Sequence, residues 1–449
     1  MAVNARDASH FLRRVGFGGT PAEVDHFVGR EIPDIVSEVL DLVPDLPGQP
    51  PFVNADVSGE WDAHTAGITW WLQRMVDSSW VDRTSTTPSP LQEKVALFWH
   101  DHFATGQSKV EKMLAMFQQN QLFRSTGLGE FEPLCQRVSV GGAMLRYLDN
   151  ETNVAGAEQE NFARELMELF TMGIGHYTEN DVVEMARAWT GHNTVGWDDS
   201  CFCHDTTYRF NADRHDGGPK TIFGITQNWD GPDTITEICQ GVRRQETARF
   251  IVRRTWGFFA NTQPSDALLD ELVNVYTGGG RNGGNLTMKE LLRAIFEHPM
   301  FWSSYRQLVK TPTEYVVDVL RRTGRRADEI SARWYMGFMG QTLFDPPNVS
   351  GWGENGYWLS TATAWGRSRF AADIRWSLAE DGFFAELTDM PASQATQVVF
   401  DTFGIELPSA VSRSSLENWF GETRRVNADW AIPSGAIMLG VLTPEFQLA

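Results

Sequence analysis

Lysine is almost missing from this chain. It stands only at positions 94, 109, 112, 220, 289 and 310, so arginine carries nearly all the positive charge of a 449-residue sequence whose formal net charge is -20. So acidic a surface lacks the basic patch that phosphates and anionic headgroups require, which argues against nucleic acid and membrane as partners. Cysteine is scarce too, and four thiols (Cys135, Cys201, Cys203 and Cys239) cannot build a disulfide framework. No run approaches the roughly 18–20 apolar residues of a membrane span. The opening MAVNARDASHFLRRVGFGG has no apolar signal-peptide core, and the expectation is a soluble, cytoplasmic protein. There is no G-x-S-x-G, phosphate-binding loop, dinucleotide fingerprint or CxxCH.

Aromatic mass is what the chain does have. Seventeen Trp and 28 Phe stand against 8 Tyr, a composition suited to a wide apolar interior. Length alone allows two or three domain-sized units, but helical periodicity recurs from end to end with no internal repeat. The expected fold is therefore mostly α, a single multi-helix globular unit over 1–449. A central irregular, short-β insert is expected at about 193–228, and a variable helical part at 376–449. Thr20 before Pro21, and Thr178 with Asp181 three residues on, read as helix N-caps. Segment 158–172 reads as one helix ended by Gly173, and 129–148 and 330–345 read as helices.

Five motifs carry candidate chemistry. LFWHDHF sets His100 and His102 around Asp101. Two residues apart on a helix they face different ways, so joint metal ligation needs the helix to end at His100 or bend there. The plainer alternative is one histidine at a helix C-terminus and one packed in the core. ENFARELMELF places Asn161, Glu165 and Glu168 in a polar stripe on an otherwise apolar helix. Buried carboxylates there need a cation, an arginine or a proton. Glu184 on the following helix adds another. RHDGGPK offers His215 with Asp216 as its orienting partner, or else a plain surface turn. CFCH (Cys201, Cys203, His204) lacks the second ligand pair of a structural zinc site. The loop DPPNVSGWGENGYWLS, with Trp352 and Trp358 ahead of Arg367 and Arg369, reads as a core plug with capping arginines rather than a pocket wall.

Taken in order, FLRRVGFGGTP, PLQEKVALFWHDHF, ENFARELMELFTMGIGHYTENDVVEMARAWTGH, RFNADRHDGGPKTIFG and DPPNVSGWGENGYWLSTATAWGRSRF make the chain resemble the bacterial domain-of-unknown-function family numbered 1800, from about residue 8 to 375 or beyond. The resemblance implies no assigned activity. It also implies two departures: relatives commonly carry His at the position of Phe170 and Trp at that of His192. A ligand supplied from the first position would be lacking here, and His192 would mark a specialised site.

The leading expectation is a metal-dependent enzyme, a non-haem metal oxidoreductase with a mixed His/carboxylate site in an aromatic-lined pocket. His100, His102, Glu165, Glu168 and His215 are its metal-ligand candidates. His192, Glu184 and Asp216 are its acid/base or orienting candidates, and iron, manganese or zinc is the divalent cofactor. A hydrolase using the same site is the second reading. The third is a non-catalytic scaffold with a buried polar network, which predicts Glu165 and Glu168 paired to arginines such as Arg164 and Arg187. The small-molecule or polymer substrate and the oligomeric state are not specified by the sequence.

Overall fold

Helices dominate the chain because its apolar residues recur at three- and four-residue spacing, and several runs begin on a capping residue. Thr20 accepts from the Glu23 N–H while Glu23 returns the bond, and Thr178 and Asp181 do the same, so both expected N-caps form. Thr311 with Glu314 starts Pro312–Thr323 in the same way. The computed structural model describes residues 2–52, 59–84, 86–195, 207–261, 263–279 and 286–449. Among these, the only sheets are two antiparallel ribbons, pairing His192–Val195 with Thr207–Phe210 and Lys220–Ile222 with Ile225–Gln227. Both lie in the expected central insert. Cys201, Cys203 and His204 fall outside the described residues. Among the described residues no helix is long and apolar enough to cross a membrane.

Three expected helices differ in detail. Segment 129–148 breaks at Gly141 into Phe131–Ser139 and Gly142–Tyr147. Segment 330–345 keeps only Ala332–Phe338, because the chain turns left-handed at Gly340. Segment 158–172 is α-helical only over Asn161–Glu165 and then widens into a π-helical turn, Leu166–Thr171. Thr171 Oγ donates to the Leu166 carbonyl, and the Met172 and Gly173 N–H groups both reach the Met167 carbonyl. The wider turn rotates Glu168 away from the straight stripe that α spacing implied.

One hydrophobic cluster runs from Val3 to Phe446. Trp71, Trp80, Trp99, Trp189, Trp256 and Trp358 are fully enclosed in it, whereas Trp61, Trp334, Trp365, Trp376 and Trp430 are exposed. Trp352 and Trp358 are both buried, so the Pro/Gly/Trp loop does plug the core, and Arg367 caps it by donating to the Lys310 carbonyl and to Gln447. Lysine, though scarce, is used inside: Lys94 pairs with Glu314, Lys310 with Asp318, and Lys220 is buried among carbonyls.

Candidate functional site

The helix Pro90–His102 continues through both histidines of HDH, so their rings diverge instead of converging. His100 Nε2 accepts the Phe344 N–H at 3.0 Å, and its ring packs against Trp71, Phe344 and Trp352. His102 Nε2 donates to the Phe170 carbonyl at 2.9 Å, in a nest of Phe98, Trp99, Phe103 and Phe131. Burial pushes both imidazoles down to about 3, so both stay neutral. The expected shared ion between them is not what the geometry shows. Each Nε2 is spent on a backbone group on opposite sides of the helix.

Asp101, between them, points a third way. Its Oδ1 accepts the Trp352 N–H at 2.7 Å and its Oδ2 accepts from Arg254 at 3.2 Å, while Arg254 also binds Glu354. Burial raises the Asp101 carboxyl to about 6 despite Arg254. The group lines a small cavity of about 60 Å³ with Arg254, Glu314, Trp352 and Trp358. Gly351 is required here. It sits at φ +81, and a Cβ would lie 2.4 Å from Asp101 Oδ1. On the same helix Glu93 is fully buried and accepts from Arg124, Arg74 and the Trp71 indole, which hold its carboxyl below the usual range.

Glu165 and Glu168 meet neither the histidines nor the expected arginines. Arg164 binds Glu160 and Glu179, and Arg187 binds Glu184 and Asp216. Glu168 accepts from the Tyr177 hydroxyl at 2.6 Å and lines a groove of about 900 Å³ floored by Leu169, Met172 and Phe250. Half-burial and the nearby Glu168 charge raise the Glu165 carboxyl. Glu184 and Asp216 are structural as well as ionic. Glu184 accepts the Thr221 N–H, and Asp216 accepts the Gly218 N–H. Asp216 does not orient His215. The Thr190 carbonyl does, accepting from His215 Nδ1 at 2.9 Å.

That last bond occupies His215 Nδ1 and leaves Nε2 as the uncommitted ring nitrogen, on a ring that stands next to that of His192. His192 lies at the foot of the first ribbon, 1 % exposed at its side chain, with Nδ1 on the Tyr208 hydroxyl at 2.8 Å. Among the described residues its buried Nε2 has no hydrogen-bond partner, and neither has the buried Asp230 Oδ1, 3.7 Å away. The ring centroids of His192 and His215 are 6.5 Å apart and nearly perpendicular, with Phe210 against both. Burial, then the His215 charge, brings His192 down to about 4, so at neutral pH this is no ion pair. Asp230 occupies the N-cap position of Gly231–Gln240 without capping it. Lys220 fastens the arrangement, donating to the carbonyls of Asp216, Gly218 and Trp229, so the loop carrying His215 is tied to the residue before Asp230.

The structure thus brings together His192 and His215 of the candidates, leaves His100, His102, Glu168, Glu184 and Asp216 at other partners, and places Glu165 half-buried near the Glu168 charge. Among the described residues no three His, Cys, Asp or Glu side chains are already gathered as a metal-binding group. Sequence reasoning missed Asp230 and Tyr208. The signal for Asp230 was the NWDGP stretch, where an acidic residue precedes a Gly-Pro helix start and is easily read as a cap alone. Across residues 10–448 the chain matches the model of a family described as "Protein of unknown function (DUF1800)". It belongs to the DUF1800 family. No curated protein and no solved structure matches it. Phe170 contributes its carbonyl to His102, and His192 supplies a nitrogen without a partner among the described residues, beside Asp230.

Proposed function

We propose that this protein is a metal-dependent enzyme whose ion is held by His192 Nε2 and Asp230 Oδ1, with His215 Nε2 closing on it as the third ligand. One observation carries the reading: a buried imidazole nitrogen and a buried carboxylate oxygen, both without hydrogen-bond partners, face each other at 3.7 Å. That spacing is too long for a hydrogen bond. It is close to the roughly 3.4 Å edge of a tetrahedral ligand set with bonds near 2.1 Å. The His192 ring is held through its far nitrogen by Tyr208, as ligating imidazoles usually are, and His215 Nδ1 rests on the Thr190 carbonyl. His215 has to swing inward, since its ring lies 6.5 Å from that of His192.

Two imidazoles and one carboxylate suit iron, manganese or zinc, and leave positions open for substrate. Bound iron would supply one-electron redox chemistry and would favour the oxidoreductase reading. Tyr208 and Thr190 hold the rings, Lys220 holds the loop, and Phe210 shields one side from water. Zinc would instead favour hydrolysis. The scaffold reading keeps one specific support, the two neutral, packed histidines of HDH.

The test is metal content of the full chain, purified without chelator and after anaerobic reconstitution with Fe(II), Mn(II) or Zn(II). The expected result is roughly one ion per chain, with affinity reduced about tenfold or more in His192→Ala and Asp230→Ala and unchanged in His102→Gln. Equal metal content in all four chains, or no ion in the unaltered protein, overturns the assignment and puts the scaffold reading first.

A further inference from the structure

A second cleft, made by other residues, has two tryptophans in water. Trp61, in the first turn of Glu60–Asp77, is 66 % exposed, and Trp334, on Ala332–Phe338, is 50 % exposed. Leaving an indole in water forfeits its burial energy, about 25 cal/mol per Å² of apolar surface. The fold does not lack interior for them, having enclosed six other tryptophans completely. Both line one cleft of about 590 Å³, together with Glu60, Gln107, Glu111 and Asp345. The aromatic surface continues along the helix. Phe338 stands one turn beyond Trp334 and packs edge-on against Trp365 at 5.6 Å, each 53 % exposed.

The polar side of the cleft consists mostly of acceptors. Gln107 is 6 % exposed, and its Nε2 donates to Glu60 while its buried Oε1 has no donor among the described residues. Glu60 accepts from the Met113 N–H, and Asp345 accepts from the Ser108 N–H and hydroxyl, so both carboxylates are held in place. Glu111 is held in the left-handed region at φ 57, an uncommon conformation for a side-chain-bearing residue. Among the described residues lining the cleft Arg333 is the one arginine or lysine, and it lies over the Trp334 ring at 4.6 Å, while Arg146 reaches Glu111 at 4.0 Å from outside the lining.

Flat indoles call for a ligand with a C–H face, and fixed acceptors call for hydroxyl donors. A pyranose ring offers both. Three carboxylates against one arginine disfavour an anionic ligand. A protein-docking patch would be depleted of charge at its centre, and this cleft is not. We propose that the cleft binds a neutral linear oligosaccharide. Sugar rings stack on Trp61 and Trp334, hydroxyls donate to Gln107 and the flanking carboxylates, and the Phe338–Trp365 pair extends the platform for a longer chain.

Titration calorimetry of the full chain with cellohexaose, maltohexaose and chitohexaose tests this, with decaproline as the competing groove ligand. Saturable binding of at least one hexaose is expected. It should weaken about tenfold in Trp334→Ala and in Trp61→Ala, both exposed sites whose loss leaves the circular dichroism unchanged. Binding should persist in Trp430→Ala, an exposed tryptophan elsewhere, and in His192→Ala, which separates this site from the metal site. No heat with any hexaose, binding indifferent to both cleft substitutions, or saturation by decaproline instead would overturn the proposal.

Discussion

His100 and His102 show how little a residue's type says about its job. Both are strong ligands by chemistry, and both are spent as neutral braces on backbone groups 244 and 68 positions away in sequence. This has a measurable consequence. Their folded pKa is about 3, against about 6.5 in an unfolded chain. Below pH ~6.5 the unfolded chain takes up protons the folded one refuses, so their contribution is complete above that pH and declines as pH falls toward 3. Asp101 runs the other way. Its folded pKa of about 6 lies above the unfolded ~3.9, so its contribution is present at low pH and lost as pH rises toward 6. Two histidines outweigh one aspartate, and folding should weaken as pH drops from 6.5 to 4. Urea denaturation across that range should show a shallower slope in His102→Gln, by about 1.4 kcal/mol per pH unit. An unchanged slope would mean that His102 titrates normally in the folded protein.

At the scale of elements, capped starts were legible and the wide turn was not. Thr20-Pro21 and Thr178-Asp181 act through bonds spanning three residues, which a sequence displays directly. Leu166–Thr171 has the composition of an ordinary buried helix. Its widening depends on the Thr171 hydroxyl taking the Leu166 carbonyl and on the stop at Gly173. Gly173 is held at φ +83, and an added Cβ would sit 3.1 Å from Phe250. Gly173→Ala should therefore cost about 1–2 kcal/mol by thermal melting, and should disturb the groove that Glu168 lines. Gly217→Ala, with open space around it, should fall within about 0.5 kcal/mol of the original. Equal melting of the two variants would remove the conformational requirement at 173.

Over the whole molecule, distant segments are fastened by buried ion pairs. Arg321 on Pro312–Thr323 donates to both oxygens of Glu23 at 2.8 Å, across 298 residues, and both side chains are enclosed. Lys94 and Glu314 join the HDH helix to the same Pro312–Thr323 helix. Glu23→Ala leaves Arg321 buried without its carboxylate, and should lower stability by about 3–5 kcal/mol in chemical denaturation. A loss under about 1 kcal/mol would show that the pair behaves as a surface bridge. Nothing in the sequence pairs Glu23 with Arg321, because ion-pair partners obey no spacing rule beyond the helical turn.

Residue order alone carries the helical class, the central ribbon-bearing insert, the capped helix starts, and the family through five ordered motifs. Each of these follows from patterns of three to seven residues or from motif order. Which way a side chain points emerges only when the chain has folded. Folding turned His100 and His102 apart, gave Arg187 to Glu184 and Asp216, set His192 beside an aspartate that precedes a helix without capping it, and left Trp61 and Trp334 in solvent. The physical reason is common to all of them. Ring direction, ion pairing and exposure are fixed by groups far away in the chain, and no local rule reaches that far.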